Sequence, residues 1–287
     1  MAAERIETAL GPVEIARAGA GKPVLVVHGT PGGCDAGLAM GRFLIDAGLE
    51  VIAVSRPGYL GTPLGSHAEP EAQGDLLAAL LDALAIERLG VLVWSGGGPS
   101  AYALAARHPQ RVSALVAAAA VSKPIDDNVP LEERIFARTR LGNRILQVLI
   151  KLAPRSTARA TIKTEGDLSR HEINALTKRV MAEPALREMV MELAFVVADY
   201  APRKQGVVND WRTFAHVGDP GLERITAPCL LIHGERDSEV GLGHSEFVRD
   251  RVPEAELVLL PRGTHIGLWI NADLERVQAQ AIEHLKR

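Results

Sequence analysis

The sequence predicts a doubly wound α/β fold with a mostly parallel sheet, interrupted by one inserted helical block. Three observations predict it. Short continuous apolar runs recur at residues 23–27, 89–94 and 229–232, the mark of strands buried on both faces. Segments of helical periodicity separate them, which implies parallel strands joined by crossovers. The alternation then stops after Ser122 and resumes only near Cys229.

In chain order, residues 4–8 and 12–17 read as two short strands about a turn at Gly11-Pro12, with a second turn at Gly19-Ala20-Gly21. The run 23–27 (PVLVV) is an inner strand. It ends in His28-Gly29-Thr30-Pro31-Gly32-Gly33, a Gly/Pro-rich loop at the strand's carboxyl end, where open α/β sheets place ligands. Residues 35–47 read as a helix, 51–54 as the next inner strand and 55–63 as a turn-rich loop. Residues 76–86 form an amphipathic helix. Strand 89–94, helix 101–107 and strand 112–121 follow.

From 124 to 216 the pattern is helical. Ile145, Leu146, Leu149 and Ile150 recur at helical spacing, as do Leu193, Val196 and Val197. A compact domain does not carry so long a structureless loop. The block is therefore expected to be a lid over the carboxyl ends of the strands, with 1–123 and 217–287 forming the core. Asp219-Pro220-Gly221 marks the return. Strand 229–232, helix 241–250, strand 257–260 and helix 273–286 complete the chain.

At 47% hydrophobic and 23% charged residues, the composition is that of a chain with a sizeable core. A net charge of −3 gives no reason to expect a nucleic-acid partner. Cys34 and Cys229 lie far apart without metal spacing, which suggests a reducing compartment. The stretch MAAERIETALG has no signal-peptide core, and no apolar run reaches the roughly 18 residues that span a bilayer. A cytoplasmic setting, no membrane partner, no metal and no cofactor are expected. The partner should be a small-molecule or short-peptide substrate, and the sequence leaves the oligomeric state open.

Chemistry concentrates at Leu89-Gly-Val-Leu-Val-Trp-Ser95-Gly96-Gly97-Gly98-Pro99. A buried strand, one serine at a sharp turn, then a helix is the layout of a nucleophile elbow. The turn strains the serine backbone and projects its hydroxyl. The first amides of the helix point at any negative charge forming there. Val93 stands where the G-x-S-x-G pattern has a small residue, and Gly98 is expected to give the slack for it.

A serine hydroxyl needs a base, and the base an orienting group. His265 lies between glycines after the last strand, and a histidine with an unperturbed pKa of about 6.5 suits a general base. Asp237 follows strand 229–232, with Glu235 and Glu239 as neighbouring alternatives and a helix N-cap as its ordinary role. The order Ser95, Asp237, His265, each after a strand, is that of a hydrolase triad. His108, His171, His216, His244 and His284 are expected to be solvated, His233 to be structural, and His28 to brace its loop. The amides of Gly96 and Thr30 are the expected oxyanion donors; Pro31 has no N–H. Trp94 and Tyr59 are pocket candidates.

Through His28-Gly29-Thr30-Pro31-Gly32-Gly33, Arg56-Pro57-Gly58-Tyr59, Trp94-Ser95-Gly96-Gly97-Gly98-Pro99, Asp237 and His265, the chain resembles the α/β-hydrolase superfamily over essentially its whole length. The resemblance implies an eight-stranded-type hydrolase sheet with an inserted helical cap, and a serine hydrolase whose expected substrate is a small, largely apolar ester. The HGxPGG loop is similar to that of the prolyl iminopeptidase-like branch, which implies an aminopeptidase as an alternative. That branch uses acidic cap residues, and Glu172, Glu183, Glu188 and Glu192 do not single out a pair. A serine at the elbow argues against the dehalogenase and epoxide hydrolase branches. Val93 keeps open a non-catalytic ligand-binding or non-hydrolytic member of the fold.

Overall fold

In a computed structural model of the chain, residues 3–125 and 140–287 are described. The sheet has eight strands: β1 (Glu4–Thr8), β2 (Gly11–Ala18), β3 (Pro23–Val27), β4 (Glu50–Val54), β5 (Leu89–Trp94), β6 (Val112–Ala118), β7 (Cys229–Gly234) and β8 (Ala255–Leu260), in the order β1-β2-β4-β3-β5-β6-β7-β8. β1 and β2 form an antiparallel hairpin, and β2 runs antiparallel to β4. From β4 onward all pairs are parallel.

The period-2 alternation of strand side chains divides the core in two. Val24, Val26, Leu92, Val116 and Leu230 face α1 (Cys34–Met40), α2 (Arg42–Asp46) and α11 (Leu274–Leu285). Leu25, Val27, Val91, Val93, Leu115 and Leu231 face α3 (Pro70–Ala83), α4 (Gly98–Arg107) and α10 (Gly243–Arg249).

Three elements differ from expectation for local reasons. The helix expected over 35–47 is two helices, with Gly41 between them lying against Val51. α3 starts at Pro70, because a proline suits the first helical turn, where its missing N–H costs nothing. β6 stops at Ala118: Ala119 takes φ 44°, and the Val121 amide donates to Ser95 O (2.9 Å), so the chain turns over the elbow rather than extending the sheet.

Between β6 and β7 lie α5 (Arg140–Leu152), α6 (Pro154–Thr164), α7 (Arg170–Ala182), α8 (Pro184–Ala198) and α9 (Lys204–Phe214). Pro154 and Pro184 start their helices, and a Ser169–Glu172 capping box starts α7. Ala158, Ile162, Val180, Val190 and Val196 belong to the same apolar cluster as Met40, Trp94 and Trp269, so the helical insertion is continuous with one face of the core. α9 is also tied down by backbone, with Gly206 N–H donating to Gly58 O (2.8 Å). The part of the expected helical block at 126–139, and residues 1–2, lie outside the described residues. Among the described residues no helix is long and apolar enough to cross a membrane.

Two of the expected solvated histidines are buried. His244 accepts the Ser122 amide at Nδ1 (3.0 Å), and His284 donates to Pro228 O (2.9 Å). Each sits on a helix face turned to the core, and each replaces lost water with a backbone partner. His108 is half-buried against Asp75 (2.8 Å), while His171 and His216 are exposed.

Candidate active site

β5, β6, β7 and β8 are parallel, so the segments that follow them emerge along one edge of the sheet. Ser95 follows β5 with φ 52°, in the left-handed region that a residue with a Cβ adopts only under constraint. A short 3-10 turn, Ser95–Gly97, leads into α4. A Cβ on Gly97 would lie 3.0 Å from Val93 Cγ2 and 2.5 Å from His28 O, so Gly97 makes the room for Val93. That role was expected of Gly98, which instead admits the Val121 carbonyl: a Cβ there would lie 2.1 Å from its oxygen.

Asp237 follows β7 and His265 follows β8. His265 Nδ1 donates to Asp237 Oδ2 (2.8 Å), and both side chains are almost fully buried. Asp237 Oδ1 accepts the amides of Glu239 (2.8 Å) and Val240 (2.9 Å), so one carboxylate caps its loop and orients the imidazole. Glu235 and Glu239, the neighbouring acids, are exposed. The insertion braces this pair from outside. His265 N–H donates to Glu165 O (2.8 Å), Asp167 N–H to Arg236 O (2.9 Å), and Gly166 bridges Asp237.

Trp94 connects the two halves. Its Nε1 donates to His265 O (3.1 Å), and its ring lies 5.2 Å from the His265 ring. Gly29 closes on the elbow from the other side: a Cβ there would lie 2.9 Å from both Ser95 Cβ and Trp94 Cε3. Ser95, Gly29, Trp94 and His265 therefore form one neighbourhood. Among the described residues no hydrogen bond joins Ser95 Oγ to His265, a contact that often tightens only with substrate bound. Tyr59 is a correction among the pocket candidates. It is fully buried, and its hydroxyl donates to Asp210 (2.5 Å), so it presents no surface to a pocket.

The loop bearing Thr30 is held by side chains. His28 donates from Nδ1 to Gly29 O (2.6 Å) and accepts the Arg56 amide at Nε2 (3.0 Å), which fixes a neutral tautomer in its bracing place. Burial, then the Arg56 charge, holds its pKa well below 6.5. Arg56 pairs with Asp210 of α9, both buried. In the sequence Arg56 stands out only as part of the Arg56-Pro57-Gly58-Tyr59 turn, and Asp210 does not stand out at all. A lone acid in a helix carries no mark of its partner.

Electrostatics at His265 favour the proton. Burial lowers its pKa, but the hydrogen bond and charge of Asp237, then Glu165 and Glu239, outweigh it and leave the pKa raised. Burial pushes the Glu165 carboxyl up to about 7, against the pull of His265. Glu165 sits in a loop after α6, and only the docking of the insertion brings it here. Of the acids considered from sequence, Glu172 serves its helix cap and Glu183 pairs with Arg179 (2.8 Å). No cluster of three His, Cys, Asp or Glu side chains suited to a metal occurs among the described residues.

The chain matches the alpha/beta hydrolase fold over residues 22–272. It is similar to the solved structure of an alpha/beta hydrolase fold protein from Nakamurella multipartita, with 46% identity, a TM-score of 0.94 and 99% of both chains covered. An uncharacterized hydrolase of Bacillus subtilis, YcgS, is 29% identical, with 94% of each chain covered. The pimeloyl-[acyl-carrier protein] methyl ester esterase of Aromatoleum aromaticum is also 29% identical, covering 82% of this chain and 87% of its own. The names of other relatives include 2-hydroxymuconate semialdehyde hydrolase and further hydrolases.

Proposed function

The chain belongs to the alpha/beta hydrolase fold family, and from that premise we propose that it is a serine hydrolase cleaving a carboxylic ester of a small, largely apolar substrate. The observation that carries the reading is the buried His265–Asp237 hydrogen bond, beside a serine at φ 52° on a strand-to-helix turn.

Ser95 Oγ attacks the ester carbonyl while His265 Nε2 takes its proton. Asp237 holds the opposite ring nitrogen and stabilises the imidazolium. The amides of Gly96 and Thr30 receive the oxyanion; losing one such donor costs about 10²–10³ in rate. His265 returns the proton to the departing alkoxide, and water then repeats the sequence on the acyl-enzyme. The helices of 124–216 form a cap over the site, with 1–123 and 217–287 as the core. The packing of the insertion against Trp94 and His265 supports this division.

Ser95→Ala should abolish turnover of short-chain p-nitrophenyl esters and labelling by a fluorophosphonate, with an unchanged circular dichroism spectrum. Undiminished turnover in that variant would end the proposal. A carbon–carbon hydrolase with the same triad is the second reading, favoured by relatives named 2-hydroxy-6-oxo-2,4-heptadienoate hydrolase and 2-hydroxy-6-oxononadienedioate/2-hydroxy-6-oxononatrienedioate hydrolase. A panel that includes such a dienoate beside the esters separates the two.

A further inference from the structure

Arg56 gathers the oxyanion loop. Its Nε donates to His28 O (3.1 Å), and its Nη2 donates to Gly29 O (3.2 Å) and Thr30 Oγ1 (3.1 Å). The same guanidinium grips Asp210 through both carboxylate oxygens, at 2.9 and 2.5 Å. Asp210 Oδ2 also accepts the hydroxyls of Thr30 and Tyr59, each at 2.5 Å. Side-chain exposure is 2% for Arg56 and 3% for Asp210. Three consecutive loop residues are thus held by a charge pair, one half of which arrives from the helical insertion.

We propose that Asp210 is a positioning residue that couples docking of α9 to the aim of the Thr30 amide in the oxyanion hole. The proposal rests on the serine-hydrolase reading above. Transition-state donors work only when held in place before charge develops, since a small displacement forfeits most of the effect. The neighbourhood makes that displacement direct. A Cβ on Gly96 would lie 2.2 Å from Thr30 Oγ1 and 2.8 Å from Phe214 Cζ, so α9 touches both proposed donors' residues or their immediate neighbours. α9 is itself seated by Gly206 N–H on Gly58 O (2.8 Å) and Asn209 Nδ2 on Ala68 O (2.7 Å). A shift of α9 would withdraw the carboxylate that Arg56 and Thr30 share, and the loop would lose its aim. The loss would fall on kcat, because the amide binds charge that forms only in the transition state.

The test compares wild type, Asp210→Asn, Thr30→Val and the double variant. The readouts are p-nitrophenyl ester kinetics, affinity for a trifluoromethyl ketone that forms an oxyanion adduct with the serine, and the fluorophosphonate labelling rate. Thr30→Val keeps the charge pair and the Thr30 amide, so it reports on the link even if Asp210→Asn fails to fold. Each single variant should lose about 10- to 100-fold in kcat, part of what losing a whole donor costs. KM should hold, while ketone affinity and labelling rate fall in parallel. The double variant should be no worse than Asp210→Asn alone, because both act on one amide. Unchanged kcat and labelling in the folded variants would overturn the coupling, as would a loss confined to KM or losses that multiply in the double variant. Those outcomes leave the serine-hydrolase reading intact; that reading fails separately, if Ser95→Ala retains activity or labelling.

Discussion

As the proposed general base, His265 accepts a proton only when neutral, and its raised pKa should place the acid limb of kcat/KM above pH 6.5. Activity should therefore fall as pH drops through that limb. Asp237 and Glu165 both hold the proton on, so Glu165→Gln should move the limb to lower pH. A pH profile of the two proteins on one ester checks the direction; a shift to higher pH would contradict it. The placement of Ser95, Asp237 and His265 beyond strand ends is legible in sequence because each comes within a few residues of an apolar run, and an apolar run ending in a turn fixes where a strand ends. Two matters at this scale were not legible. The choice of Asp237 over Glu235 and Glu239 depends on which carboxyl turns inward. Glu165 reaches His265 only through the fold of a distant loop.

At the level of the element, the elbow depends on two glycines with different duties. A methyl at Gly98 would press on a backbone oxygen, which cannot rotate away. Gly98→Ala should cost at least about 2 kcal/mol of stability, at the upper end of ordinary overpacking, read from the urea midpoint. Val93 is completely buried, paired in register with Val27 and Ala117 on its two neighbouring strands. Val93→Gly, which restores the common G-x-S-x-G pattern, should lose about 2–4 kcal/mol from lost burial and added chain entropy. It should bring no rise in kcat; a rise would mean that Val93 tilts the elbow away from His265. The pattern of apolar residues marked the inner strands of the sheet, while the hairpin of β1 and β2 was marked by its turn at Gly11-Pro12. The apolar pattern missed ends set by contact, as at β6, where the chain turns to cap Ser95 O.

Across the whole molecule, buried neutral histidines give stability its pH dependence. Burial, and then the Lys123 charge, lowers His244 to about 4, and burial likewise lowers His28 and His233. Below pH 6.5 the unfolded chain takes up protons that the folded chain refuses, so stability should fall between pH 6.5 and about 4. His265 and Glu165 act in the opposite sense: the contribution of His265 is full below 6.5 and is lost as pH rises through its raised pKa, and Glu165, raised to about 7, adds stability as pH falls from there toward 4.5, one carboxyl set against the several buried histidines. Urea midpoints across that range should decline toward acid. His244→Gln, which keeps an acceptor for the Ser122 amide, should flatten the decline.

The sequence by itself determined the alternation of strand and helix, the interruption by a helical segment, and the three chain positions where a serine, an aspartate and a histidine follow strands. Those are local facts, because burial periodicity and turn chemistry act over a few residues. Tertiary structure alone decided which buried polar groups meet: Arg56 with Asp210 across 154 residues, and Trp94 with His265 across 171. A buried charge must find a partner somewhere, but the chain's own periodicity says nothing about where. The partner is set by which helix docks on which loop.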